Sequence, residues 1–254
     1  MKLETDADIT WCAGCGNFSI LAAFKQAVTE LINSGYDKNS FVIVGGIGCH
    51  AKIMDYLNLN SFYGLHGRVV PVLTGIKIVD PNLNVIGFEG DGDAYDEGLD
   101  HLIHAAKRNS NIKLFVHDNQ LFALTTGQFT ATTPFGMKTK TSPLGSYEQP
   151  INPLLLMLAA GATFIARGYA GNIPHLKNLM KEAIMHKGFA FIDILQPCVT
   201  FNNISEYVEK RMYELKDHDV KSFDRALEKI KEWNDRIPIG VFYKVEKEIF
   251  EELI

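Results

Sequence analysis

The feature that most constrains the fold of this chain is a strand–turn–helix–strand unit between residues 85 and 119. Residues 85–89 (VIGFE) form an apolar run that is too short for a helix and ends in a glycine-rich turn, so we expect a buried strand there. Residues 96–109 have a helical periodicity, begin acidic and end basic, as the helix dipole favours. Residues 112–116 (IKLFV) are a second apolar run, so the unit predicts a right-handed crossover between parallel strands.

A polar residue follows each strand of this unit. Asp91 lies in the turn Gly90-Asp91-Gly92, and Asn119 comes soon after the second strand. The carboxyl ends of parallel strands share the edge at which open α/β sheets bind ligands, and a carboxylate with an amide oxygen suits Mg²⁺ coordinated by phosphate and water. The sequence therefore predicts a magnesium diphosphate site, with glycines that let phosphate approach the backbone. The alternative, an ordinary turn in which Asp91 caps a helix, does not explain Asn119.

The cysteines form a second pattern. Cys12 and Cys15 make a CxxC pair, whereas Cys49 and Cys198 each follow a predicted strand, which places both at the ligand-binding edge. Four thiolates can hold a four-iron cluster or a zinc ion, although zinc ribbons usually have two CxxC pairs. The residues alone leave a cluster, a zinc ion and unrelated buried thiols open. A thioredoxin-like pair fits poorly, because that motif should follow a strand and only eleven largely polar residues precede Cys12.

Length and patterning indicate one α/β domain. The chain has 254 residues, of which 46% are hydrophobic, and no linker or repeat divides it. We predict a single domain over residues 1–254, with a CxxC segment at 10–16 and a helical C-terminal tail from about residue 205. Helical stretches such as 17–33 and 174–187 alternate with apolar runs, which predicts a doubly wound, mostly parallel sheet covered by helices on both faces. The predicted strands are 41–44, 69–73, 85–89, 112–116, 163–166 and 189–195.

Charge and hydropathy disfavour two classes of partner. The formal net charge is −5 and the basic residues are dispersed, so we expect no nucleic-acid binding. The N-terminus lacks the apolar core of a signal peptide, and no apolar run is long enough to span a bilayer. We therefore expect a cytoplasmic protein without a membrane partner, in a reducing compartment where thiolates stay available to a metal.

Several motifs together resemble a known family. The GDG turn, followed by 26 residues and Asn119, resembles the thiamine diphosphate signature. With the other motifs, it makes most of the first two hundred or so residues resemble the β subunit of the 2-oxoacid:ferredoxin oxidoreductases. The motifs are WCAGCGNFSIL (11–21), GIGCHAKI (46–53), LHGRVVPVLTGIK (65–77), EGDGDAYDEGLDHLIHAAKRN (89–109), QPCVTFN (196–202) and IPIGVFY (237–243).

The resemblance implies a fold and a set of ligands. The fold would be the diphosphate-binding domain of thiamine diphosphate enzymes, and Mg²⁺ would be held by Asp91, the Asn119 side chain and the Leu121 backbone carbonyl. Zinc becomes the minor alternative, because the family binds a [4Fe-4S] cluster through cysteines that match Cys12, Cys15, Cys49 and Cys198. Residues expected to line the thiamine diphosphate are Ile47, Gly48, Cys49, His50, His66, Gly92, Asp93, Ala123, Leu124 and Thr125.

Two residues are candidates for catalysis. By resemblance His66 lies near the thiamine or the substrate, and a histidine that stabilises its glycine-flanked turn is the alternative. Lys52 could pair with a substrate carboxylate or a cofactor phosphate, or it could be a solvated lysine of a short helix. The chain departs from the family at Thr126, because it has LTTGQ where LTGGQ or LTKGQ is common.

The resemblance also implies a reaction and partners. A 2-oxoacid would be decarboxylated oxidatively with coenzyme A to acyl-CoA and CO₂, and single electrons would pass through the cluster to ferredoxin. An α subunit would supply the pyrimidine-binding domain and its activating glutamate. The alternatives are a non-redox thiamine diphosphate decarboxylase or synthase subunit, and a zinc-stabilised interaction protein that is not an enzyme.

Overall fold

A computed structural model describes residues 2–254 of the chain. Within these residues the strands are β1 Phe41–Gly45, β2 Asn60–Tyr63, β3 Asn84–Gly90, β4 Lys113–Asp118, β5 Leu121–Phe122, β6 Gln128–Phe129, β7 Phe164–Tyr169, β8 Ala190–Leu195, β9 Met212–Glu214 and β10 Ile237–Lys244. The α-helices are α1 Gly16–Asn33, α2 Val69–Val79, α3 Leu99–Arg108, α4 Pro153–Ala160, α5 Ile173–Met185, α6 Ser205–Glu209 and α7 Phe223–Ile230.

An eight-stranded sheet forms the centre of the structure, in the order β2-β1-β3-β4-β8-β7-β10-β9. Its pairs are parallel except for β7 and β10, which are antiparallel. Helices α1 and α5 cover one face, and α2, α3, α4 and α7 cover the other, which gives two apolar cores. The predicted doubly wound, mostly parallel α/β fold is thus confirmed, because each apolar strand buries both of its faces.

Five of the six predicted strands are present within a few residues of their expected bounds, as β1, β3, β4, β7 and β8. The prediction of a strand at 69–73 was wrong, because these residues begin helix α2. Val69, Val70 and Leu73 are buried by this helix, and Pro71 is tolerated in its first turn, where backbone N–H groups have no intrahelical acceptor. A short, continuous apolar run is compatible with either element, and here its extension to residue 79 gives the length of a helix.

The segment after residue 205 is only partly helical, which corrects a second expectation. It contains α6 and α7, but also strands β9 and β10. Strand β10 is built from the IPIGVFY motif, and its β-branched and aromatic residues favour an extended backbone. It pairs with β7 and extends the central sheet.

The carboxyl ends of β1, β3, β4 and β8 open on one edge of the sheet. There the chain passes into irregular backbone, notably a π-helical turn at Gly92–Glu97 after β3 and a 3₁₀ helix at His50–Tyr56 after β1. π-helical turns are rare and occur frequently at functional sites. Across residues 2–254, none of the helices combines the length and the apolar character that crossing a bilayer requires.

The buried face of α2 provides a test of this packing. Leu73 is fully buried, whereas Val79 of the same helix is 86% exposed. We expect Leu73→Ala to lower the free energy of unfolding by about 2–5 kcal/mol, because it leaves a cavity, and Val79→Ala to change it by less than about 0.5 kcal/mol. Urea unfolding followed by circular dichroism measures both, and equal losses would contradict the helical assignment.

Candidate active site

Asp91 and Asn119 lie side by side where β3 and β4 end. The backbone N–H of Asn119 donates to Asp91 Oδ1 over 3.4 Å, and both residues are buried. The side-chain oxygen of Asn119 has no hydrogen-bond partner among residues 2–254. Burial raises the pKa of Asp91 to about 7, although hydroxyl and backbone donors counteract it. An unpartnered amide oxygen beside a buried carboxylate is a donor set that a divalent cation would complete.

Two threonines from the segment after β6 reach the same carboxylate. Thr130 Oγ1 donates to Asp91 Oδ2 over 2.6 Å. Thr132 Oγ1 lies 3.1 Å from Asp91 Oδ2 and 2.9 Å from Asp118 Oδ1, so it bridges the two carboxyl groups. Sequence reasoning missed both threonines, because no local pattern shows that this segment folds back under the GDG turn.

The carboxylate of Asp93 joins the three loops around the site. One oxygen accepts from the Ile47 backbone N–H over 3.0 Å and lies 3.0 Å from His50 Nε2. The other accepts from the Gly67 backbone N–H and lies 3.0 Å from His66 Nδ1. Asp93, expected to line the diphosphate, therefore also holds the loops that follow β1 and β2 against the turn after β3.

Glycine is required at two positions of these loops. A Cβ added to Gly46 would lie 1.6 Å from Asp93 Oδ2, and one added to Gly92 would lie 2.2 Å from the Phe122 ring. Neither contact leaves room for a side chain. The glycines thus allow the close approach of backbone and side chains on which the site depends.

A cleft of about 460 Å³, partly open to solvent, lies between these loops. It brings together most of the residues predicted from the sequence, including the cofactor-lining set and the three predicted magnesium ligands. The lining residues are Ile47, Gly48, Cys49, His50, His66, Gly90, Asp91, Gly92, Asp93, Asn119, Leu121, Phe122, Ala123, Leu124 and Thr125.

The two candidate catalytic residues are placed differently. His66 lines the cleft with 35% of its side chain exposed, and its ring lies 5.9 Å from that of Phe122. Lys52 lies in the 3₁₀ helix after β1 and is not part of the cleft wall. Burial raises the pKa of the Cys49 thiol, and the positive charge of Lys52 partly offsets this increase.

Thr126 occupies a strained position beside the cleft. It lies in the loop between β5 and β6 and has a φ of 82°. The left-handed region is unfavourable for a β-branched residue, and such strain is concentrated at functional sites. Its backbone N–H donates to the Ala123 carbonyl over 3.2 Å, which closes the turn that carries Leu124 and Thr125.

The four cysteines converge beside this cleft. Cys12 and Cys15 lie before α1, whose first N–H, that of Gly16, donates to the Pro197 carbonyl over 3.3 Å next to Cys198. The indole N–H of Trp11 donates to the Cys49 carbonyl over 2.7 Å. Three distant segments of the chain thus bring their thiols together, all of them free.

The thiols interact electrostatically. Burial, together with the charges of the other three cysteines, raises the pKa of Cys49 to about 11. Burial also raises the pKa of Cys15, with contributions from Cys198 and Cys12. Four thiolates in this space would repel one another, so a positively charged metal centre would stabilise the arrangement.

Among residues 2–254, no three His, Cys, Asp or Glu side chains are grouped as ligands of one ion. Tetrahedral zinc, with Zn–S bonds of about 2.3 Å, brings its thiolates to within about 4 Å of one another. A four-iron cluster binds each thiolate at a different corner and therefore accommodates wider separations.

A buried ionic network lies beside Asp91 and Asp118, and sequence reasoning missed it as well. Arg167 Nε lies 3.5 Å from Asp193 Oδ2, and Tyr95 donates to Asp193 Oδ1 over 2.8 Å. Burial raises the pKa of Asp118 well above its usual range, as do the charges of Asp193 and Asp91. These residues lie on separate strands and a π-helical turn, so only the tertiary fold brings them together.

Glu89 is a further buried acid at the end of β3. It is fully buried, and neither of its carboxyl oxygens has a hydrogen-bond partner among residues 2–254. Burial and the neighbouring Asp93 raise its pKa well above the ordinary value, which favours the neutral carboxylic acid.

Two known families match the chain from residue 46 to its last residue, apart from residues 195–197. Residues 46–194 match the family described as thiamine pyrophosphate enzyme, C-terminal TPP binding domain. Residues 198–254 match the family that describes the C-terminal part of the pyruvate ferredoxin oxidoreductase beta subunit. The fold is therefore that of a thiamine diphosphate-binding domain.

Individual relatives show which family of thiamine diphosphate-binding proteins the chain resembles. The 2-oxoacid:ferredoxin oxidoreductase subunit beta of Saccharolobus solfataricus is 44% identical over 93% of this chain and 82% of its own length. The 2-oxoglutarate synthase subunit KorB of Archaeoglobus fulgidus is 38% identical over 95% of this chain and 86% of its own. A 2-oxoglutarate:ferredoxin oxidoreductase from Magnetococcus marinus, solved with 2-oxoglutarate, coenzyme A and succinyl-CoA bound, has a TM-score of 0.94 at 34% identity, over 99% of this chain and 86% of that one.

The chain belongs to the β subunits of the 2-oxoacid:ferredoxin oxidoreductases. It is thus a subunit of an oxidoreductase, and it acts with at least one other subunit.

The role of Asp93 in joining the loops can be tested by stability. Asp93→Asn replaces one acceptor oxygen with an NH₂ group that faces donors, so we expect the free energy of unfolding to fall by about 1–3 kcal/mol. Asp8→Asn is the control, because Asp8 is exposed and lies outside the helices and strands, and it should change the value by less than about 0.5 kcal/mol. If urea unfolding shows the same effect for both variants, Asp93 does not hold the loops.

Proposed function

We propose that this β subunit binds thiamine diphosphate through Mg²⁺, carries a [4Fe-4S] cluster, and catalyses the oxidative decarboxylation of a 2-oxoacid with its partner. The overall reaction converts a 2-oxoacid, coenzyme A and two oxidised ferredoxins into acyl-CoA, CO₂, two reduced ferredoxins and one proton. We place this reaction in the reducing cytoplasm, where the thiolates of the cluster stay available.

The observation that carries this proposal is the position of Cys49. Cys49 lines the cleft that contains Asp91 and Asn119, and its thiol also interacts with those of Cys12, Cys15 and Cys198. A single loop therefore belongs both to the candidate cofactor site and to the candidate cluster site. Such proximity suits the transfer of electrons from a cofactor to a cluster.

The residues present fit a magnesium diphosphate. Asp91 and the unpartnered Asn119 side-chain oxygen would bind the metal, together with the Leu121 backbone carbonyl. The backbone at Gly48 and Gly92, both of which line the cleft, would approach the diphosphate. When bound, thiamine diphosphate supplies the nucleophilic carbon and the electron sink for decarboxylation.

The remaining cleft residues would orient the reactants. His66 lines the cleft beside Phe122, and its Nδ1 lies 3.0 Å from Asp93 Oδ1, so we propose that it exchanges a proton or forms a hydrogen bond with the substrate. Ile47 and Leu124 offer exposed apolar side chains at the cleft mouth, where they would exclude water. We propose that the positive charge of Lys52 stabilises the thiolate form of Cys49 at this side of the cleft.

We propose an α subunit as the partner that completes the site. It would contribute the pyrimidine-binding domain and the glutamate that activates the cofactor. We also propose that the chain folds as one domain, because β10 of its C-terminal segment hydrogen-bonds to β7 of the central sheet. On this basis the isolated subunit should not turn over.

Metal analysis tests the cluster. We expect about four irons and four acid-labile sulfides in the anaerobically purified chain, the content of one four-cysteine cubane cluster, and an electron paramagnetic resonance signal after reduction with dithionite. Cys198→Ser should lose both, because it removes a ligand. Zinc without sulfide would contradict the proposed electron transfer and favour a non-redox thiamine enzyme or a zinc-stabilised protein.

Activity of the assembled enzyme tests the metal ligand. Asn119→Ala removes the unpartnered amide oxygen, and we expect it to lower 2-oxoacid- and coenzyme A-dependent ferredoxin reduction at least about 100-fold, the upper range for perturbed metal sites. Asn33→Ala, on the exposed end of α1, is the control and should retain full activity. Unchanged activity of Asn119→Ala, or turnover by the β subunit alone, would overturn the assignment.

A further inference from the structure

Both thiols of the CxxC pair receive a hydrogen bond from a side chain of the segment that carries Cys198. Gln196 Nε2 donates to Cys15 Sγ over 3.5 Å. Thr200 Oγ1 donates to Cys12 Sγ over 3.4 Å. Cys49 and Cys198 have no side-chain donor of this kind among residues 2–254. The four thiols thus differ in their immediate surroundings.

The Gln196 amide is held in place by packing. Gln196 is only 2% exposed, and its backbone N–H donates to the Asp118 carbonyl over 2.9 Å at the end of the sheet. Its side chain lies against Gly16, where an added Cβ would be 2.7 Å from Gln196 Cγ. The lack of a side chain at residue 16 therefore lets the amide reach Cys15.

Thr200 is placed by a tight turn. The backbone groups of Cys198 and Asn202 exchange two hydrogen bonds, of 3.0 and 2.9 Å, and so close the turn that presents Thr200. Thr200 is exposed, and its hydroxyl points at the Cys12 thiol, which is exposed as well. The donor can therefore be altered without disturbing a packed core.

Hydrogen bonds to coordinating sulfur favour the more negative state of a cluster. On reduction one electron enters the cluster, no bond forms or breaks, and the cluster with its four thiolates becomes one unit more negative. N–H and O–H dipoles directed at the sulfurs stabilise that added charge and raise the reduction potential. The two donors of this kind, Gln196 and Thr200, are both directed at the sulfurs of the CxxC pair.

We propose that Gln196 and Thr200 are positioning residues that raise the reduction potential of the cluster through hydrogen bonds to Cys15 and Cys12. This inference rests on the proposed function. Since Cys49 faces the cofactor cleft and Cys12 is exposed, the two donors stabilise the electron on the side away from the cleft, where an external acceptor can approach. The same cluster can then accept an electron from the cleft and release it at the surface.

The test is a potentiometric titration of the assembled enzyme, with dithionite as reductant and the cluster followed by electron paramagnetic resonance. Thr200→Val removes the hydroxyl at nearly constant shape, whereas Thr200→Ser keeps it. We expect a lower midpoint potential for Thr200→Val, the wild-type potential for Thr200→Ser, and iron content unchanged in both. Gln196→Met should shift the potential in the same direction, and the double variant should shift it further.

The outcomes separate this inference from the function on which it rests. A wild-type enzyme that contains no iron and sulfide overturns the proposed function and this inference with it. An intact cluster whose potential is the same in Thr200→Val as in Thr200→Ser overturns the inference alone. If Gln196→Met loses iron because the buried site is disturbed, the comparison of Thr200→Val with Thr200→Ser still tests whether the hydrogen bond raises the potential.

Discussion

The edge of the sheet at which β3, β4 and β8 end is built around buried carboxyl groups. Asp91, Asp118 and Asp193 are buried there, and Arg167, itself stacked 4.8 Å from the Trp233 ring, is the cation beside Asp193. Buried charges destabilise a fold unless they are paired, hydrogen-bonded or bound to metal. Hydroxyl donors and one guanidinium meet part of this need, and a divalent cation at Asp91 would meet the rest. The groups that surround these carboxylates therefore affect the stability of the fold as well as the chemistry of the site.

The loops at this edge are coupled to one another through few contacts. Asp93 accepts hydrogen bonds from the segments after β1 and β2. The segment after β1 contains Cys49, which lines the cleft and interacts with the other three cysteines. Trp11 then ties the CxxC segment to the Cys49 carbonyl. A change at any of these contacts is expected to reach both the cleft and the thiols. This coupling supports the proposal that decarboxylation and electron transfer occur a short distance apart.

Much of the fold could be predicted because buried parallel strands are short apolar runs, and those that become β1, β3, β4, β7 and β8 were recognised. The run at 69–73 was misassigned because continuous apolarity does not distinguish a strand from a helix. Asp91 and Asn119 could be placed together because parallel strands end at a common edge, and that the pair binds metal stays a prediction. The roles of Thr132 and Arg167 could not be found, because their partners lie far away in sequence and only tertiary packing brings them together.

We propose that the ends of β3 and β4 hold a diphosphate through a divalent cation bound by Asp91 and Asn119. Isothermal titration calorimetry of the assembled enzyme with thiamine diphosphate, in excess Mg²⁺ and in excess chelator, measures whether binding needs the metal. We expect binding with Mg²⁺ and no measurable binding in chelator. Equal affinity under both conditions would contradict it, because the diphosphate would then be held without the metal that these residues are arranged to bind.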